Sequence, residues 1–190
     1  MRQAAIHAPS YGDGGEDTSR FTGKLAEDLY RISRDLPTVY GGQHSVGFNL
    51  YTQIIWWGRC TAATPNGRRE GEYLSHGLTP SRLQPSRSVT DTMSSLRYMD
   101  LDNYGGNSVI NFVLPVGKMD PDIFVAFLRT AAKAGTQAIQ INCVDRDTLL
   151  KAQKEPENYG HIIVRICGFS APFTSLSPTY QEEFLTRNFY

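Results

Sequence analysis

The residues best placed for unusual chemistry lie at 162–173, where IIVRICGFSAPF runs from branched apolar residues through Arg165 and Ile166 into Cys167, Gly168 and Phe169. A bare glycine between a cysteine and an aromatic, just past a buried strand, has two readings. It lets the backbone turn, because it lacks the Cβ that penalises positive φ, or it performs chemistry open only to a residue without a side chain. Ordinary catalytic sets are missing. The sequence holds no G-x-S-x-G elbow, no Walker loop and no H-E-x-x-H helix. His7, His44, His76 and His161 are scattered and read as structural or surface residues. Glu182 and Glu183 begin a helix, where carboxylates are solvated or favoured by the dipole and do not make an acid–base dyad. Asp145 and Asp147 stand at a helix start, where capping is the ordinary role.

Bulk properties narrow the classes. A chain of 190 residues can form one domain with a real core. Lys plus Arg number 19 and Asp plus Glu number 19, so no basic excess points to nucleic acid. No apolar run reaches membrane-spanning length, and MRQAAIHAPSYGDGGED lacks the apolar centre of a signal peptide. Cys60, Cys143 and Cys167 are odd in number and widely spaced, without a C-x-x-C pair. That pattern fits a reduced compartment and argues against a zinc or iron–sulfur site made by this chain. The expectation is a cytoplasmic α/β protein without a bound metal.

The elements that must position Gly168 follow from periodicity. Residues 1–17 read as an irregular lead-in. Phe21, Leu25, Leu29, Ile32 and Leu36 form one helical apolar stripe that stops at Pro37. VGFNLYTQIIWW (46–57) predicts a strand buried on both faces or nearly so. The run 61–88 is loop, and a structureless run of that length is usually functional or packed against something else. A helix is expected over 89–99 and a strand over 108–116. Asp120 and Pro121 open a helix whose inner face is Ile123, Phe124, Phe127, Leu128 and Ala131 and which Gly135 ends. A strand at 138–144, a short helix capped by Asp145, a strand at 161–166 and a helix opened by Ser177-Pro178 complete the order. Strand and helix alternating here predicts parallel pairing by crossovers. With only about four strands, the fold looks like part of a larger sheet.

Arg165, Ile166, Cys167, Gly168 and Phe169 match in order the Arg, apolar, small, Gly, aromatic signature of the glycyl radical enzymes, and VRICGFSAPFTSLSPTYQEEFLTR (164–187) resembles the ending of that family. TPNGRREGEYLSHGLTPS (64–81) is similar to its Thr-Pro-Asp-Gly-Arg loop, with Asn66 for the commoner Asp, and QINCVDRDTLLKAQKEPENY (140–159) resembles the strand and helix ahead of the radical loop. Three matches in the right order cover roughly 20 to 190. The ending GFSAPFTSLSPTYQEE looks more like the dehydratase and decarboxylase branches than pyruvate formate-lyase.

The resemblance implies that residues 1–190 form a C-terminal glycyl radical domain, with the radical loop and terminal helix at 160–190. It places the chain in a ten-stranded α/β barrel. It implies a radical on Gly168, formed in trans by a radical S-adenosylmethionine enzyme with an iron–sulfur cluster, and a thiyl on a cysteine of a second loop. Glycine suits the role chemically. An unpaired electron on Cα spreads over both flanking peptide units only if the carbon is flat, and a Cβ would clash with the adjoining carbonyl or amide. No Gly-Cys-apolar-Glu frame for the second cysteine occurs here, and Cys60, Cys143 and Cys167 read as packing residues. Met1 then predicts a natural fragment. The first reading is the small subunit of a split lyase whose larger partner holds the cysteine. The alternative is a spare part that rescues an oxygen-cleaved enzyme; a decayed packing module and a cut-down piece of a full enzyme complete the set. Arg165 and Phe169 would shape the loop, and Arg68 and Arg69 would face the partner.

Overall fold

The computed structural model describes residues 1–49, 52–83, 88–115, 117, 120–166 and 168–190. Helix α1 (Arg2–Ile6) breaks the lead-in expected to be irregular, and α2 (Glu16–Arg34) follows Gly15. Helix α3 (Gln53–Cys60) lies where a strand was predicted. The segment before it does run extended beside residues 106–109, with the Val109 amide donating to the Phe48 carbonyl at 3.2 Å. From Gln53 onward, however, Ile54, Ile55 and Gly58 are buried on one helical face while Trp56 and Trp57 point outward. Packing on that face overrides the β-propensity of the branched residues.

Helix α4 (Val89–Ser95) is capped by Ser88, whose hydroxyl accepts from the Asp91 amide. Strand β1 (Val109–Leu114) pairs in parallel with β2 (Ala138–Cys143), from Val109 opposite Ala138 to Leu114 opposite Cys143. The crossover is α5 (Pro121–Lys133), started by Asp120, whose carboxylate accepts from the Asp122 amide at 2.8 Å. Helix α6 (Arg146–Lys154) follows, with Asp145 accepting from the Thr148 amide at 2.7 Å. Strand β3 (Ile163–Arg165) departs from the parallel expectation: it forms a short antiparallel hairpin with β4 (Ser170–Pro172). Helix α7 (Pro178–Leu185) begins after Ser177-Pro178 as predicted. The described strands therefore make two two-stranded sheets, not one four-stranded sheet.

β1 divides the interior. Ile110, Phe112 and Leu114 join Ala26, Leu78, Met93, Leu96 and Phe127 in one cluster. Val113 joins Leu149, Val164, Ile166, Phe173, Phe184 and Leu185 in the other. A strand covered on both faces reads as a near-continuous apolar run, and VINFVL does, interrupted at Asn111. The second cluster is the seat of the hairpin.

Two apolar faces are not covered. On α5, Phe127 and Ala131 are buried, but Ile123 and Leu128, expected on the inner face, are exposed. On α2, which ends at Arg34 and so short of the predicted stop at Pro37, the expected stripe faces outward: Phe21, Leu25, Leu29 and Ile32, with Leu36 just past the helix, are between 43% and 74% exposed. The buried face instead carries Ser19, Gly23 and Ala26. No helix among the described residues is long and apolar enough to cross a membrane.

Candidate functional site

The hairpin puts Gly168 at its tip. Val164 lies opposite Ala171 and Arg165 opposite Ser170, and the Ile166 amide donates to the Phe169 carbonyl at 3.0 Å. Gly168 has φ +84, the left-handed region that a side chain disfavours, and among the described residues, its chain neighbours aside, no heavy atom stands within 4 Å of where its Cβ would be. Both readings of this glycine therefore coexist: the turn demands it, and its Cα is open. Val164 and Ile166 point into the core, whereas Ile163, Arg165, Gly168 and Phe169 are exposed. The alternation of β3 thus fixes the hairpin by one face and presents the other. Cys167 lies outside the described residues.

Side chains, not a backbone ladder, tie this hairpin to β2. Gln140 Nε2 donates to the Arg165 and Ile166 carbonyls, each at 2.9 Å. Asn142 Nδ2 donates to the Arg165 carbonyl at 3.0 Å, and its Oδ1 accepts from the Arg165 amide at 2.6 Å. Asn142 is buried, so these bonds satisfy groups that water cannot reach. The signal was present in AIQINC, where two amides interrupt an apolar strand at alternate positions, but neither was singled out. An open groove of about 480 Å³ runs beneath the tip, lined by residues including Val109, Ile139, Gln140, Arg165, Gly168 and Ser170. Among the described residues the Arg165 guanidinium reaches Ser170 Oγ at 3.5 Å, whereas its backbone is held by Gln140 and Asn142.

Behind the hairpin, α7 is anchored by a buried charge cluster. Glu183, expected to be solvated, is 2% exposed. It takes His76 Nε2 at 2.9 Å, Arg82 Nη2 at 3.2 Å and Arg187 Nη2 at 2.8 Å. Burial alone would raise its carboxyl, but the His76 hydrogen bond and the Arg187 guanidinium hold it well below the usual range. Burial also lowers His76, although the Glu183 hydrogen bond opposes that shift. Glu182 is exposed, so only one of the pair was misread.

Arg68 is the second correction. Expected to face a partner, it is 5% exposed. Its Nη1 donates to the carbonyls of Arg69 at 3.0 Å, Glu72 at 2.8 Å and Gly58 at 3.4 Å. Its Nη2 donates to Thr61 at 2.9 Å and to Ala62. One guanidinium thus gathers the loop that has no ladder of its own. Asn66 closes the Thr-Pro-Asn-Gly turn by accepting from Thr64 Oγ1 at 2.6 Å, while Arg69 is exposed. Cys60 and Cys143, read as packing residues, are both exposed. Among the described residues no three His, Cys, Asp or Glu side chains converge to hold a metal.

A family model described as glycine radical matches residues 74–174, more than half of the chain and including Gly168. Trans-4-hydroxy-L-proline dehydratase of Clostridioides difficile is 30% identical over 94% of this chain and 23% of its own length. Isethionate sulfite-lyase of Oleidesulfovibrio alaskensis is 30% identical over 98% of this chain and 23% of its own. The structure of a glycyl radical enzyme from Archaeoglobus fulgidus superposes with a TM-score of 0.85 at 28% identity, covering 98% of this chain and 25% of that one. The chain spans about a quarter of these relatives.

Proposed function

Because this chain belongs to the glycyl radical enzyme family, we propose that Gly168 stores the radical and that the chain is the small subunit of a split radical lyase. The observation that carries this is the setting of Gly168: a positive-φ slot at an exposed hairpin tip, within the matched region, with nothing packed over its α-carbon. The slot fits the group. A side chain built on one face of its Cα would meet no atom beyond its chain neighbours, which leaves that face open. A radical so exposed would be quenched by solvent species and oxygen, so its shelter must come from polypeptide outside this chain. The span of about a quarter of the relatives supports the same reading.

In the assembled enzyme the hairpin would complete a ten-stranded barrel, its tip meeting a cysteine loop of the larger chain. A radical S-adenosylmethionine enzyme removes one hydrogen atom from the Gly168 Cα. The site then takes a hydrogen atom from the cysteine thiol, so that C–H reforms as S–H breaks, leaving the thiyl that begins elimination or decarboxylation. This chain's own residues hold the donor still. Val164 and Ile166 anchor the hairpin in the core, Gln140 and Asn142 fix its height above β2, and Phe169 stands beside the tip to be buried by the partner.

The test is anaerobic activation of the chain together with its larger partner and activating enzyme, followed by electron paramagnetic resonance. A glycine-centred doublet that disappears in Gly168→Ala is expected. Absence of the doublet in the wild-type complex overturns the assignment.

A further inference from the structure

The outward face of α2 has no occupant. Phe21, Leu25, Leu29 and Ile32 recur at steps of four, four and three, the ridge by which one helix packs into the grooves of another, and Leu36 extends the apolar line just past the helix end. Four large apolar side chains along one exposed helix face exceed the single scattered residues that surfaces ordinarily carry. The helix cannot bury the ridge by rolling over. A Cβ on Gly23 would come within 2.3 Å of the Tyr98 carbonyl oxygen, so the small face is seated where only glycine fits.

The flank of the ridge says which partner it fits. Lys24 is already paired with Asp28, Arg20 with Glu16 and Arg31 with Glu27, all within the helix. No unpaired basic residue is left on the described ridge flank to call for a charged partner. A second copy laid antiparallel would meet the same internally paired charges, so charge does not select it either. Close structural agreement with chains four times as long, by contrast, extends over 98% of this one, α2 included. We propose that this ridge is the seat of an apolar-faced helix supplied by the larger polypeptide, the one corresponding to the three quarters of the relatives that lie outside this chain. The inference rests on the split-subunit reading and adds to it a defined contact.

The probe is the polypeptide of the source organism that aligns with the part of trans-4-hydroxy-L-proline dehydratase outside this chain's match. Sedimentation velocity should give a one-to-one complex with the wild-type chain. Leu25→Glu combined with Ile32→Glu should bind at least about a hundredfold more weakly, as expected when two buried anchors are lost. The thermal midpoint of the double variant alone should be unchanged, because both side chains are exposed there. Phe21→Ser should weaken binding by about tenfold with a smaller perturbation of the chain, and Lys154→Glu on α6 should bind as the wild type does. Wild-type affinity in the double variant and in Phe21→Ser would overturn the seat while leaving the radical subunit intact. Self-association through the ridge, with binding of the larger chain unaffected, would overturn it in favour of a second copy. Failure of the wild-type chain to bind the larger polypeptide, or absence of such a polypeptide from the source genome, would instead sink the split-subunit reading itself.

Discussion

His76 Nε2 stands 2.9 Å from Glu183 Oε1, across 107 residues of sequence and at almost complete burial. The contact joins the loop before β1 to the helix that closes the chain. The His76 hydrogen bond and the Arg187 guanidinium favour the ionised form of Glu183 there, Arg82 adds a third contact, and Arg187 also lies over the Phe184 ring at 4.3 Å. Glu183→Ala removes the one anion that serves three partners and leaves two buried guanidinium groups facing each other. A loss of about 3–5 kcal/mol is expected for breaking such a pair from one side. Chemical denaturation of the chain measures it, and a loss below about 1 kcal/mol would mean that the cluster is hydrated and weak.

The same cluster makes stability fall in acid in two stages. His76 is held below its ordinary value of 6.5, so below that pH the unfolded chain takes up a proton that the folded chain refuses. Glu183 is held below its ordinary value of 4.5 and adds the same sign of dependence from there downward. Both contributions are present in full above pH 6.5 and diminish as pH drops. His76→Gln should flatten the upper stage and leave the lower; an unaltered profile in that variant would assign the upper stage elsewhere.

Gly168→Ala should cost about 1–2 kcal/mol, because alanine must adopt φ +84 while its methyl meets no neighbour. Thermal unfolding should therefore show a folded chain with a modestly lower midpoint. After anaerobic activation and exposure to air, the wild-type chain should be cut at Gly168, releasing a piece that spans 169–190. The alanine variant should remain intact by mass. Equal cutting in both would place the radical at another residue.

Asn142→Leu deprives the Arg165 amide of its acceptor at 2.6 Å. The cost is about 1–3 kcal/mol, the penalty of a buried donor left without a partner. Amide exchange at Arg165 and Ile166 should accelerate by about tenfold or more while the amides of β1 change little. Uniform acceleration across both would show that the hairpin does not open by itself.

Arg68→Lys replaces a fork of donors by a single ammonium that cannot span the same ring of carbonyl oxygens. Limited proteolysis should then cut within 61–72 faster than in the wild-type chain. Resistance in the variant would mean that the loop is held by its turns alone.

The helix starts were legible because their causes are local. Asp120, Asp145 and Ser177-Pro178 act within one turn, and each opens the helix assigned to it. β1 was legible because burial on both faces leaves a nearly unbroken apolar run, with Asn111 as its one polar member. What failed depended on partners distant in sequence. Glu183 looks like any carboxylate on a helix until His76 and Arg82 arrive from a loop a hundred residues away. Arg68 looks like a surface residue until the chain curls round it. The α2 stripe was read correctly as a helix, though that helix ends at Arg34 and not at Pro37, and period alone marks an apolar face and not what lies against it. At the site, the signature around Gly168 was legible from residue types, whereas the hold of Gln140 and Asn142 was not, since amides in a strand announce no partner.

Arg68 holds its loop through the oxygens of Gly58, Thr61, Ala62, Arg69 and Glu72, and a carbonyl is the same whatever side chain its residue bears. Mutation can therefore rewrite the outer surface of this loop without unravelling it, provided that one arginine persists. A surface so insulated from its own scaffold can drift in step with whatever molecule it comes to touch.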